Sequence, residues 1–156
     1  MAAKSAGLLM YRRAAGRLEV LLVHPGGPLW KNKDVHAWSI PKGEYADDED
    51  PLDAARREFE EEMGFSPPEN EVELGEIRQK GGKRVIAWAV EGDCDPSAIV
   101  SSTFTMQWPP KSGKVQEFPE IDRAAWFDPD TAREKLHKGQ VTLVDRLLEK
   151  IEPATG

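Results

Sequence analysis

Gly43-Glu44-Tyr45-Ala46-Asp47-Asp48-Glu49-Asp50-Pro51-Leu52-Asp53-Ala54-Ala55-Arg56-Arg57-Glu58-Phe59-Glu60-Glu61-Glu62-Met63-Gly64-Phe65 sets three glutamates on one face of a short helix. With about 100° between successive helical residues, Glu58, Glu61 and Glu62 share one arc, while Leu52, Ala55, Phe59 and Met63 share the opposite side. Asp50 reads as the N-cap, Pro51 as the first helical residue, Asp53 as an acidic residue of the first turn and Gly64 as the left-handed residue that ends the helix. One face packs; the other concentrates negative charge.

That charge works against local stability. Glu58 and Glu62 are a like-charged i,i+4 pair, costing roughly 0.2–0.5 kcal/mol. Glu61 and Glu62 lie in the last turn, where the helix dipole disfavours each anion by about 0.3–1 kcal/mol. Hard oxygen donors converging from one helix face suit Mg²⁺ or Mn²⁺, whose charge turns the repulsion into attraction.

The stretch resembles the Nudix box: a glycine, five residues, a glutamate, seven residues, then Arg-Glu-apolar-any-Glu-Glu-any-Gly-apolar. Gly43, Glu49, Arg57, Glu58, Phe59, Glu61, Glu62, Gly64 and Phe65 fill every position, with Phe59 and Phe65 where smaller aliphatics are more usual. Seven fixed identities coincide by chance at a given start with a probability on the order of 10⁻⁸ to 10⁻⁹.

The resemblance implies an α/β/α sandwich with a mixed β-sheet, the box forming a catalytic loop-helix-loop. It implies Mg²⁺-dependent hydrolysis of a phosphoanhydride in a nucleoside diphosphate linked to another group. By the same resemblance Glu58 and Glu62 are metal ligands, Glu61 is a ligand or the general base, and Glu49 braces the loop. The Gly43 carbonyl is a further ligand, and one more carboxylate comes from the loop before the last strand, Glu120 ahead of Glu117. Arg57, four residues before Glu61, has the spacing to orient that carboxylate.

A chain of 156 residues suits one domain, read over 1–156 with an ordered core from about residue 5 to about 152. Hydrophobic residues at 39% and charged residues at 31% exclude a disordered chain. The formal net charge of −7 argues against binding a nucleic-acid duplex, which needs a basic excess, and means that an anionic substrate needs metal help. Cys94 is the only cysteine, so neither an intramolecular disulfide nor a thiolate cluster is available. Met1 to Gly7 lacks an apolar leader segment, and no apolar run approaches the length of about 18 residues that spans a bilayer. A cytoplasmic protein without membrane contact is expected.

Gly7–Tyr11 and Leu18–Val23 read as a hairpin turning through Ala14–Arg17, and Pro25–Pro28 opens a loop to Val35. Trp38–Ile40 reads as a short strand before the helix. Val72–Arg78 and Arg84–Val90 read as a second hairpin across Lys80–Lys83, and Ser101–Trp108 as a strand before a loop at Pro109–Lys114. Ala124–Phe127 reads as the last strand. Asp128-Pro129 then caps a helix ending near Gly139, and a final helix from Val141 carries Leu143, Val144, Leu147, Leu148 and Ile151 at helical spacing. The pattern is α+β.

Trp38-Ser39-Ile40-Pro41-Lys42-Gly43 resembles the approach to the box in Nudix enzymes acting on dinucleoside polyphosphates and on some nucleoside triphosphates. Lys42 is then a point-charge phosphate contact. The chain has no tyrosine after Tyr45, no proline between Pro68 and Pro96 and no Ser-Gln-Pro-Trp, features common among diadenosine polyphosphate, ADP-ribose and NADH enzymes respectively. Nucleoside tri- or polyphosphates are the expected substrates. Trp30 and Trp108, in or beside loops, are candidates to stack on the base, whereas Trp88 and Trp126 read as core. His24, His36 and His137 lack ligand spacing, Asp47–Asp50 reads as solvated loop apart from Glu49, and Lys111 and Lys114 read as a solvated tip.

Two other functions fit the resemblance: a nucleotide-sensing Nudix module without catalysis, and an ADP-ribose or nucleotide-sugar pyrophosphatase. A sensing module has no reason to keep an anionic cluster that costs stability, so the intact glutamates favour an enzyme.

Overall fold

The computed structural model describes residues 4–79 and 81–151. The ends of the expected 1–156 domain, residue 152 of its expected core and Lys80 of the expected turn lie outside the described residues. The chain runs β1 (Lys4–Ala14), β2 (Arg17–Pro25), β3 (Lys42–Glu44), α1 (Pro51–Met63), β4 (Val72–Arg78) and β5 (Arg84–Glu91). It continues through β6 (Thr103–Gln107), β7 (Val115–Pro119), β8 (Ile121–Phe127), α2 (Pro129–Lys135) and α3 (Val141–Lys150).

The main sheet has the order β4-β5-β1-β2-β8, with β3 also pairing β1. The β1–β5 pair is parallel and the others antiparallel, so the sheet is mixed. Both faces are covered, which explains the unbroken apolar runs of β1 and β2. Ala6, Leu8 and Met10 of β1, with Leu21 and Val23 of β2, pack against Ala54, Ala55, Phe59 and Met63 of α1. Leu9, Tyr11, Val20 and Leu22 point the other way, into a core with Ala132, Leu143, Val144 and Leu147 of α2 and α3. The helix-sheet-helix layering is the expected one.

Three elements differ from the sequence reading. Trp38–Ile40 makes only isolated bridges, Val23 with Ser39 and Trp38 with Leu136, and the strand proper is Lys42–Glu44. The Ile40 N–H donates to the buried Gln140 side chain at 3.0 Å, and Pro41 has no N–H to offer a ladder. The helix expected to reach Gly139 stops at Lys135, because Leu136 turns extended and the His137 N–H donates to the Trp38 carbonyl at 2.8 Å; a 3₁₀ turn, Lys138–Gln140, follows. The third is β7, absent from the sequence reading. It pairs with β6 in a separate two-stranded sheet, and its mostly exposed residues show no apolar alternation to detect.

Trp88 and Trp126 pack, partly buried, against the α1 side of the core. The Arg12 guanidinium covers the Trp126 ring at 4.2 Å.

Candidate functional site

Helix α1 starts where the Asp50 carboxylate accepts the Asp53 N–H at 3.1 Å, and stops where Gly64 takes φ 84° and returns its N–H to the Glu60 carbonyl at 2.8 Å. Packing of Ala54, Ala55, Phe59 and Met63 then fixes its rotation, leaving the glutamate face along the edge beside β3. That edge is not an open surface. Glu62 is 5% exposed, and the Lys42 backbone N–H donates to its carboxylate.

Glu58 lies directly against Gly43: a β-carbon there would overlap its carboxylate. The glycine is therefore required by a side chain fifteen residues along the chain, through close approach rather than backbone conformation. Arg57 is the hub of the loop side. Its Nε and Nη2 donate to the two oxygens of Glu49 at 3.0 and 3.1 Å, and its Nη1 donates to Glu58 at 2.9 Å and to Glu61 at 3.4 Å. The contact anticipated from helical spacing, with Glu61, is the longest of these. Glu49 presents both oxygens to the guanidinium fork, a geometry that i,i+4 spacing does not supply.

Glu120 reaches the same place from the link between β7 and β8. Its N–H donates to the Ser102 carbonyl at 2.8 Å, its carbonyl accepts from Gly26 N–H at 2.8 Å, and Ser102 N–H donates to the Glu61 carbonyl at 2.8 Å. The loop before β8 is thus tied to the end of α1. Glu120, Glu62, Lys42 and Ser39 line one cleft of about 200 Å³. Glu117 sits on exposed β7 opposite Thr105 and does not line it.

The electrostatics follow from this crowding. Burial, then the charges of Glu58 and Glu120, hold the Glu62 carboxyl well above the ordinary range despite Lys42. Burial and Glu61 push Glu58 up against the pull of Arg57. Glu120, although exposed as a residue, is raised by partial desolvation and by Glu61. Burial pushes Lys42 down, with Glu62 opposing. The cluster is short of positive charge.

Its oxygen donors fit a hard divalent cation. Among the described residues, however, no three histidine, cysteine or acidic side chains converge into a ready metal cage. Arg57 and the Lys42 N–H occupy oxygens that would serve as ligands, so the fit rests on donor chemistry and on the missing charge.

Trp30 and Trp108 fall in separate clefts beside Gly27. Trp30, 37% exposed, lines one with Leu29, Phe104 and Met106, and Trp108 lines the other with Lys31 and Phe118. Lys111 and Lys114 are exposed near the tip of the β6–β7 hairpin. His36 bonds the Leu136 carbonyl and His137 accepts the Gly139 N–H, both structural contacts. The sequence reading missed Lys83, which borders a recess with Ser5, Lys42 and Glu44, and the backbone ties of Gly26 and Ser102. Their sequence separations carry no signal of this proximity.

Comparison with known proteins agrees with this architecture. A 66-residue stretch is 42% identical to the asymmetrical bis(5'-nucleosyl)-tetraphosphatase of Caenorhabditis elegans, covering 42% of this chain and 44% of that protein. A 68-residue stretch is 37% identical to the RNA pyrophosphohydrolase of Bartonella henselae, covering 36% and 38%. The matches span less than half the length of these curated relatives. The C. elegans Ap4A hydrolase binary complex superposes with a TM-score of 0.61 at 24% identity over 94% of this chain and 95% of that one. The NUDIX domain of Shewanella oneidensis NrtR, crystallised with ADP ribose, gives 0.64 at 16% identity over 96% and 88%. Both show the shared fold. The NUDIX domain family model matches residues 1–147, nearly the whole of the α/β/α sandwich and all of its glutamate helix, and this chain belongs to that family.

Proposed function

We propose that this chain is a pyrophosphohydrolase that cleaves a phosphoanhydride bond in nucleoside tri- or polyphosphates with the help of Mg²⁺ or Mn²⁺. The observation that carries the reading is Glu62, buried beside Glu58 and Glu120 and held well above the ordinary carboxylate range. Its burial at the wall of a cleft costs stability, and a bound cation offsets that cost.

Glu58, Glu62, Glu120 and the Gly43 carbonyl would hold the cation, with Glu61 a further ligand or the general base. When bound, the cation supplies neutralising charge for the phosphate oxygens and acidifies water. Lys42 offers a point charge to a phosphate, and Arg57 keeps Glu58 and Glu49 in place. Trp30 and Trp108 offer aromatic faces for a nucleobase, worth about 1–3 kcal/mol per stacked base. The local identity to the tetraphosphatase and the RNA pyrophosphohydrolase supports a polyphosphate substrate over ADP-ribose or NADH.

Release of phosphate or pyrophosphate from a nucleotide panel, with Mg²⁺ and with chelator, tests the reading. We expect Mg²⁺-dependent turnover, with kcat/KM higher for tri- and polyphosphates than for sugar-linked dinucleotides; a clear preference for ADP-ribose or NADH overturns the substrate assignment. Cation binding has its own readout. At a free Mg²⁺ concentration about ten times Kd the folded state gains about 1.4 kcal/mol, a rise of roughly 3–6 °C in Tm for a chain of this size. Constant melting across a millimolar titration at fixed ionic strength excludes the site.

A further inference from the structure

His24 is fully buried at the end of β2, an imidazole that the chemistry above does not use. The β2–β8 ladder pairs His24 with Arg123 and then Pro25 with Ile121, so Asp122 is the extra residue of a β-bulge. A bulge re-aims a side chain. Here the Asp122 carboxylate lies 2.9 Å from His24 Nδ1. On the other side of the ring, Nε2 is 2.6 Å from the Lys33 carbonyl. That carbonyl can only accept, so Nε2 is the donor to it, and Nδ1 is turned toward the Asp122 carboxylate.

The contact closes the loop that leaves β2. Within it Trp30 N–H donates to the Gly27 carbonyl at 3.3 Å and Lys33 N–H to the Trp30 carbonyl at 3.0 Å, while the Lys33 ammonium stands 5.0 Å over the Trp30 ring. Asp122, His24, Lys33 and Trp30 thus form one continuous series of contacts from the sheet to an exposed aromatic ring. Trp38 packs edge-on to His24 at 5.2 Å and its Nε1 donates to Asp34, which also pairs with Lys135; Arg123 lies over Trp38. An acid–imidazole pair is also the arrangement of a hydrolytic general base. In this chain the second nitrogen is spent on a backbone carbonyl and the ring is fully buried, so neither nitrogen faces a substrate.

We propose that His24 is a positioning residue: braced by Asp122, it bolts the Lys33 carbonyl and so fixes the loop that presents Trp30 to the substrate base. The role of Trp30 rests on the proposed nucleotide reading, whereas the bolt itself does not. Two readouts separate them. Amide hydrogen exchange on the ligand-free protein reports the loop, and steady-state kinetics with a nucleoside polyphosphate report its consequence.

His24→Phe keeps a ring against Trp38 and removes both ring nitrogens, and His24→Gln restores an N–H near the position of Nε2. We expect His24→Phe to lose exchange protection at the Trp30 and Lys33 amides while α1 keeps its own. We also expect it to raise KM about tenfold with kcat within about threefold, the size of a partly lost base stack. His24→Gln is expected to recover most of both. Unchanged protection in His24→Phe overturns the proposal, and so does a glutamine variant no better than phenylalanine, since bulk and not hydrogen bonding then sets the loop. If His24→Phe does not fold, glutamine alone decides: native protection and KM support the bolt, loss of both overturns it. Changed exchange with no turnover in any variant, wild type included, leaves the bolt in place and refutes the nucleotide reading instead.

Discussion

Glu62→Gln is expected to fold and to lose at least about 10²-fold in turnover on a nucleoside polyphosphate, the usual size of a lost electrostatic or general-base contribution. Glutamine keeps the shape that fills the buried position and can still accept the Lys42 N–H, so the loss falls on charge alone. Glu61→Gln is expected to show a loss of the same order, and near-native turnover in either variant removes that residue from the proposed machinery.

The same substitution has a stability signature with a defined sign. Glu62 is raised in the folded state, so between the unfolded carboxylate value and its own folded value the native protein holds more of the proton than the unfolded chain does. Its stabilising contribution is complete below about pH 4.5 and is lost as pH rises through the folded value. His137 is pushed down by burial and contributes with the opposite sign near its own range, but it is common to both proteins and cancels. Without metal, Glu62→Gln is therefore expected to gain stability over wild type as pH increases, and saturating Mg²⁺ is expected to reverse the order by stabilising wild type. A difference in unfolding free energy that stays flat from about pH 4.5 to pH 8 refutes the buried-charge account.

Gly43→Ala is expected to abolish most activity with little change in fold. Among the described residues Gly43 is not one of those with positive φ, so alanine is conformationally acceptable, but its β-carbon overlaps the Glu58 carboxylate. That carboxylate is the mobile partner and gives way, breaking its 2.9 Å contact with Arg57. Turnover should fall by about 10²-fold or more, as for loss of one electrostatic group at a reacting centre. Melting should move less, because burial and the charge of Glu61 already oppose the displaced carboxylate's charge against the pull of Arg57. Combining Gly43→Ala with Glu58→Ala should cost no more than Glu58→Ala alone, since both remove the same carboxylate from the same place. Additive losses, or wild-type turnover in Gly43→Ala, show that the glycine serves some other purpose.

The helix, its caps and its glutamate face were legible in the sequence because they are local: Asp50, Pro51 and Gly64 fix the ends of α1, and its apolar positions repeat at the helical period. The hairpins of β1–β2 and β4–β5 were legible for a similar reason, turn residues between apolar runs. β7 escaped because a mostly exposed five-residue strand on a small separate sheet has no buried face to impose alternation. The end of α2 escaped because Leu136 and His137 leave the helix to meet Trp38, about a hundred residues earlier in the chain.

By itself, then, the sequence determined the family, the glutamates and the helix that carries them, all of which depend on spacings within the stretch from Gly43 to Phe65. The tertiary structure decided which carboxylates are buried, which partner Arg57 holds most closely and which distant residues reach the cleft. Glu62 sinks to 5% exposure only because Lys42 and the neighbouring strands close over it, and Glu120 arrives beside it only because Gly26 and Ser102 tie its backbone in place. Charge and helical phase are properties of a segment and are written along it; desolvation and convergence depend on atoms brought together across the whole chain, and exist only once it has folded.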